Sequence, residues 1–167
     1  MNNGIAIGRN AGQSNQGENA VAIGYQAGTT QGNASIAIGF EAGRDAQGRN
    51  SIAIGNSAGE TNQGSGAIAI GFQAGTNTDP SGNSIAIGVN AGNNSQSFNA
   101  IAIGTSAGQS NQGISAIAIG ASAGFSGQAS GAIGIGQQAG FSGQSSNAIG
   151  LGNLAGQLGQ KSGAIGI

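Results

Sequence analysis

The sequence has no cysteine, no histidine and no tryptophan, and it carries a single proline. Without cysteine there is no disulfide framework. With neither cysteine nor histidine, thiolate and imidazole zinc sites and the Ser-His-Asp arrangement of acyl transfer are excluded. Charge is nearly as scarce, with four basic and five acidic residues and a net charge of -1. That balance leaves no basic footprint for nucleic acid and no polybasic patch for a membrane surface. Every charge except Lys161 lies at or before Asp79, so residues 80–160 are uncharged, which suggests that partners, glycans or packing neighbours cover part of that surface. No run approaches the ~18 apolar residues of a membrane span, so no membrane insertion is expected within this segment. Met1-Asn2-Asn3-Gly4 does not read as a secretory signal, so export would need a leader outside this sequence.

What the chain has instead is glycine, 36 of its 167 residues, on a background of Ser, Asn and Gln. Such a background usually cannot bury enough apolar surface to offset the entropy of ordering. The isoleucines argue against disorder because they recur at fixed intervals. An Ile-Ala-Ile-Gly tetrad ends at Gly8, Gly24, Gly39, Gly55, Gly71, Gly88, Gly104, Gly120, Gly136 and Gly152, at spacings of sixteen with one fifteen and one seventeen. Three residues after each comes Ala-Gly, from Ala11 to Ala155.

This periodicity predicts an all-β protein, a single parallel β-solenoid over 1–167 with about ten coils of ~16 residues. The coils begin near residues 4, 20, 35, 51, 67, 84, 100, 116, 132 and 148, with a partial one from 164. Each tetrad reads as one short strand, since Ile-x-Ile alternates with period two and glycines bound it. Ten such coils give a rod of roughly 50 Å. The paired isoleucines, for example Ile52 with Ile54 and Ile101 with Ile103, are expected to point inward and stack on the pairs of neighbouring coils.

The other strand face then holds only small residues. It is read as an interface with other copies of the chain, formed by Ala22, Ala37, Ala53, Ala69, Ala86, Ala102, Ala118, Gly134 and Gly150, because minimal side chains let another backbone approach closely. The alternative is that these residues line a narrow corner of the coil's own interior.

Corners are expected where the backbone needs positive φ. These are the last glycine of each tetrad, the glycine of Ala-Gly, and the set Asn19, Asn50, Gly66, Asn83, Asn99, Gly131, Asn147 and Gly163, with Ala34 and Ser115 as exceptions. Gln16, Gln31, Gln47, Gln63, Gln96, Gln112, Gln128, Gln144 and Gln160 recur once per coil and could form an amide ladder. Asp79-Pro80-Ser81-Gly82 replaces that glutamine corner with a longer segment, expected to bulge out as a loop.

The residue after each tetrad varies freely, which predicts an outward position. Tyr25, Phe40 and Phe72 at that position could present an aromatic stripe to a surface ligand, or serve as filler between neighbouring chains. Phe125 and Phe141 recur at places equivalent to each other, directly after Ala-Gly, and are expected to pack on each other. Asn33-Ala34-Ser35 and Asn93-Asn94-Ser95 are glycosylation sequons, meaningful only in a eukaryotic secretory route.

Asn50-Ser51-Ile52-Ala53-Ile54-Gly55 and Asn83-Ser84-Ile85-Ala86-Ile87-Gly88 resemble the Asn-Ser-Val-Ala-Ile-Gly signature of the YadA-like head repeats of trimeric autotransporter adhesins, and the resemblance covers essentially the whole chain. It implies a left-handed parallel β-roll, three chains side by side, and a head that binds host matrix or other surfaces. Similar repeats occur in viral and phage fibre-like proteins, so the implied setting is extracellular, on a cell or virion surface.

No enzyme is expected, and no cofactor or metal. Glu18, Glu41, Asp45, Glu60 and Asp79 fall at different places in different coils and form no acidic row. Gly134-Ile135-Gly136-Gln137-Gln138-Ala139 matches a dinucleotide fingerprint on paper but lacks the strand and helix around it, so it reads as drift of the repeat. The expected function is a structural or adhesive fibre element whose partners are copies of itself and a surface or matrix ligand. A filament subunit joined end to end is the alternative, because Gly4-Ile5-Ala6-Ile7 and Ala164-Ile165-Gly166-Ile167 carry no polar cap; a segment of a longer protein explains them equally well. An ice- or carbohydrate-binding module is a third reading. The ice-binding form would want a threonine row, yet Thr76-Asn77-Thr78 is the sole Thr-x-Thr.

Overall fold

The computed structural model describes residues 3–78 and 82–167. It is a β-solenoid of about ten stacked coils of ~16 residues, with no helix among the described residues. Each tetrad forms a three-residue strand: β1 (Ile5–Ile7), β2 (Val21–Ile23), β3 (Ile36–Ile38), β4 (Ile52–Ile54) and β5 (Ile68–Ile70) in the first coils. β7 (Ile85–Ile87), β9 (Ile101–Ile103), β11 (Ile117–Ile119), β12 (Ile133–Ile135) and β13 (Ile149–Leu151) follow, and β14 (Ile165–Gly166) ends the series. These strands make one parallel sheet of eleven, in chain order. The register never slips, so Ala53 lies beside Ala69 and Ala69 beside Ala86.

The second wall is thinner. β6 (Asn77–Thr78), β8 (Asn94–Gln96) and β10 (Ser110–Gln112) make a three-stranded parallel sheet. Single parallel bridges extend it, from Asn15 with Thr30 at one end to Ser142 with Leu158 at the other. The bulge expected at Asp79-Pro80-Ser81 lies outside the described residues.

The corners fall where glycine and asparagine mark them. Gly104 turns the chain out of its strand at φ 126, and Gly108 turns it again at φ 50. The third set is left-handed throughout, from Asn19 at 57° to Asn147 at 58°, and so are its exceptions, Ala34 and Ser115 at 55° and 57°. A fourth set carries no sequence signature. The second residue after each tetrad is also left-handed, and it includes Gln26, Glu41, Gln138 and Leu154. For residues of this type the conformation costs roughly 1–2 kcal/mol each, so the coil closes against local preference. The hydrogen bonds of these residues to the coil before compensate, as in Leu154 N–H donating to the Gln137 carbonyl at 2.9 Å.

The expected direction of the isoleucines is overturned. In every strand from β2 to β13 that belongs to the large sheet, the central small residue is buried and neither flanking aliphatic is. Ala53 is 0 % exposed, whereas Ile54 beside it is 36 % exposed. The reason is the width of the coil. A Cβ added to Gly124, on the opposite wall, would lie 3.1 Å from the Cβ of Ala118 in the strand. One added to Gly134 would lie 2.7 Å from the Ala139 carbonyl oxygen. Walls this close hold a methyl group between them and nothing larger, so an inward isoleucine has no room.

The interior therefore consists of stacked columns of small residues and one column of glutamine. Ala27, Ala42, Ala58 and their successors to Ala139 form one column, and the strand alanines form a second. A third runs through Ala20, Ser35, Ser51, Ala67, Ser84 and Ala100, all buried. Where it holds serine the hydroxyl is satisfied locally: Ser35 Oγ donates to the Gly32 carbonyl and Ser51 Oγ to the Gly48 carbonyl, both at 2.7 Å. That bond answers the cost of burying a hydroxyl.

The glutamines fill the remaining width. Gln112 is fully buried and its Nε2 donates to the carbonyls of Ile101, at 2.7 Å, and Ala116, at 3.2 Å. The same pair of bonds recurs at Gln31, Gln63, Gln96, Gln128, Gln144 and Gln160. The amide ladder forms in the second half of the rod, where Gln96, Gln112, Gln128 and Gln144 each donate to the next glutamine's Oε1, through to Gln160. In the first half it does not close: the Oε1 atoms of Gln31, Gln47 and Gln63 are buried without a partner.

Candidate functional site

Because the alanines turn in, the isoleucines turn out, and the large sheet presents two parallel aliphatic rows. One runs from Ile5 through Val21, Ile36 and Ile52 to Ile149, and the other from Ile7 through Ile23 and Ile38 to Leu151. Within the rows Ile38, Ile54 and Ile135 are each 36–39 % exposed even with stacked neighbours on both sides. Eleven strands at about 4.8 Å, each about 10 Å long, make a flat apolar strip on the order of 500 Å². That matches the largest apolar patches usual on monomers, and such patches are commonly sites of association.

The interface expected on the small-residue face is thereby corrected. Ala22, Ala37, Ala53, Ala69, Ala86, Ala102 and Ala118 are at most 1 % exposed, and Gly134 and Gly150 are buried with them. They line the narrow interior of the chain's own coil and no second chain can reach them. The feature that singled them out, uniform smallness, is the mark of a thin core here.

The residues following the tetrads do face outward: Phe40, Phe72 and Val89 are 44–48 % exposed. Tyr25 and Phe40 stack on each other, with centroids 5.1 Å apart and ring planes within 17°. The Arg9 guanidinium sits 5.8 Å over the Tyr25 ring, a cation–π contact. Both faces of Tyr25 are thus taken. Phe72 stands apart, separated from Phe40 by Asn56 in the intervening coil. Phe125 and Phe141 stack as expected, with centroids 5.0 Å apart.

Charge is concentrated in the first coils. Arg44 pairs with Glu60 at 2.8 Å, Asp45 at 2.9 Å and Glu41 at 3.0 Å. The hydrogen bond to Asp45 above all, and the charges of Glu60 and Glu41, raise the Arg44 pKa above its ordinary value, so the guanidinium stays charged at every pH the protein meets.

Glu18, Asn33 and Arg49 occupy one corner column. The Ala34 N–H donates to the Glu18 carbonyl at 2.8 Å and the Asn50 N–H to the Asn33 carbonyl at 3.0 Å, which fixes these residues in successive coils. They edge a polar cleft of about 470 Å³ whose wall also includes Asn15, Gly17 and Gly32. The sequence alone reads the Glu18 carboxylate as solvated surface, because nothing in the repeat signals that Glu, Asn and Arg fall in one column. No group of three or more potential metal-ligating side chains exists among the described residues. Comparison of the chain with family models, with curated proteins and with solved structures gave no match.

Proposed function

We infer that this chain is a structural element of a surface fibre whose rods associate side by side through the outward aliphatic face, and whose remaining surface is presented for adhesion. The observation that supports this reading is the pair of uninterrupted aliphatic rows on a flat parallel sheet. Covering strips on the order of 500 Å² on two rods gives a gross gain of ~25 kcal/mol at ~25 cal/mol per Å². Association costs about 4–15 kcal/mol in lost freedom, plus the ordering of side chains, and about 1,000 Å² in total is at the lower edge of what specific interfaces bury. A strip of fixed width and constant axial repeat also favours copies of the same chain, since only another rod of equal coil spacing matches it along its full length.

The resemblance to YadA-like head repeats supports an association of three chains on a cell or virion surface. In such an assembly the aliphatic faces lie along the shared axis, and the varied columns, including Tyr25, Phe40 and Phe72, face the surroundings. Light scattering across a dilution series tests the reading. Three times the chain mass, persisting on dilution, is the expected result; a single-chain mass at every concentration removes the basis for it.

A further inference from the structure

The cleft edged by Glu18, Asn33 and Arg49 brings together a cation and an anion that make no ion pair among the described residues, with carboxamides between them. Arg49 is exposed, in contrast to Arg44, which takes three carboxylates. Glu18 and Arg49 stand two coils apart, about 10 Å along the rod, and their side chains form no salt bridge with each other. Asn33 lies between them with its side chain fixed, its Oδ1 accepting the Glu18 backbone N–H at 3.2 Å.

The floor is kept shallow and smooth. A Cβ on Gly32 would meet the Gly48 carbonyl carbon and the Arg49 nitrogen at 2.7 Å, and one on Gly17 would collide with the backbone of Gly32. Bare backbone is therefore required here for the coils to stack, and it opens the space between the flanking side chains. The same column holds Ser65, Phe98, Ile114, Ser130, Ser146 and Ser162 in later coils, so the charged triplet occurs once.

We propose that this cleft binds an acidic sugar, a uronic or sialic acid unit of a surface glycan. The Arg49 guanidinium offers a planar pair of donors to a ring carboxylate. Asn33 and Asn15 offer both donors and acceptors to hydroxyls, and Glu18 accepts from a hydroxyl at the far end. Among the described residues the lining has no aromatic or aliphatic side chain for an apolar ligand, and one cation, too few for a polyanion. The cleft is open along the rod, which suits one unit within a chain rather than an engulfed small molecule. This assignment rests on the adhesive part of the proposed function. Single-site binding in so open a cleft is weak, with Kd on the order of 1–10 mM; parallel copies in one fibre would raise the effective affinity.

Saturation-transfer NMR on the full chain with D-glucuronate tests it, with D-glucose and acetate as probes lacking the carboxylate or the hydroxyls, and diglycine as a peptide carboxylate. The expected result is a glucuronate signal that falls at least about tenfold in Arg49→Gln and less in Glu18→Gln, with weak signals from the other three probes. Equal signals from glucuronate and glucose, an unchanged signal in Arg49→Gln, a stronger signal from diglycine, or no glucuronate signal at all would overturn it. The mass of the same samples by light scattering is read independently: Arg49→Gln keeps the wild-type mass, so loss of sugar binding and failure of assembly are separate outcomes.

Discussion

The Nε2 of Gln112 donates to the Oε1 of Gln128 at 3.3 Å while also bonding two backbone carbonyls of its own coil. One side chain thus closes its coil and ties it to the next. In Gln63 the first role is kept, with donation to Ile52 and Ala67 carbonyls at 2.8 and 3.4 Å, but its Oε1 has no partner. Gln112→Leu therefore removes a side-chain donor from the Ile101 and Ala116 carbonyls and breaks the bonds to Gln96 and Gln128, whereas Gln63→Leu removes only the bonds to the Ile52 and Ala67 carbonyls. Gln112→Leu is expected to cost about 2–4 kcal/mol and Gln63→Leu about 1–2 kcal/mol less. Urea unfolding of the two variants side by side measures the difference.

Overpacking of the thin interior should be severe. The Gly134 position already brings a hypothetical Cβ to 2.7 Å from the Ala139 carbonyl oxygen, so Gly134→Ala must push the walls apart. A loss of about 1–3 kcal/mol is expected, read as a lower thermal midpoint by circular dichroism.

The left-handed corner at Leu154 offers the opposite effect. Its φ is 62° and its side chain is 46 % exposed, so little packing is lost on replacement. Leu154→Gly relieves roughly 1–2 kcal/mol of steric cost and gives back about 0.5–1 kcal/mol in unfolded-chain entropy. A net gain of up to about 1 kcal/mol is expected, visible as a raised thermal midpoint. Asparagine already occupies the equivalent corner at Asn10 and Asn90, so Leu154→Asn should gain similarly.

Strand positions, register and the three expected corner sets were legible in the sequence because each depends on local chemistry. Ile-x-Ile sets period two, glycine permits φ 126 at Gly104, and asparagine tolerates the left-handed turn at Asn19 and Asn50. Which face turned inward was not local. Alternation says that Ile52 and Ile54 share a face opposite Ala53, and says nothing of how far away the facing wall stands. That distance is set by Ala58, Gly59 and Gln63 on the other side of the coil, whose own regularity was the available signal that the interior was already filled. Gln26 and Leu154 were missed as corners because neither residue type advertises a left-handed backbone. The cleft at Glu18, Asn33 and Arg49 was missed because it arises from stacking three coils, not from any one of them.

Lysine placed in the outward rows tests the inside-out arrangement and the association together. For Ile54→Lys combined with Ile103→Lys, sedimentation velocity should show single chains where the parent sediments as an oligomer, with the β-strand circular dichroism of the rod retained. Loss of that spectrum would mean these side chains belong inside the coil, and an oligomer as stable as the parent would mean that chains meet elsewhere; either result contradicts the account.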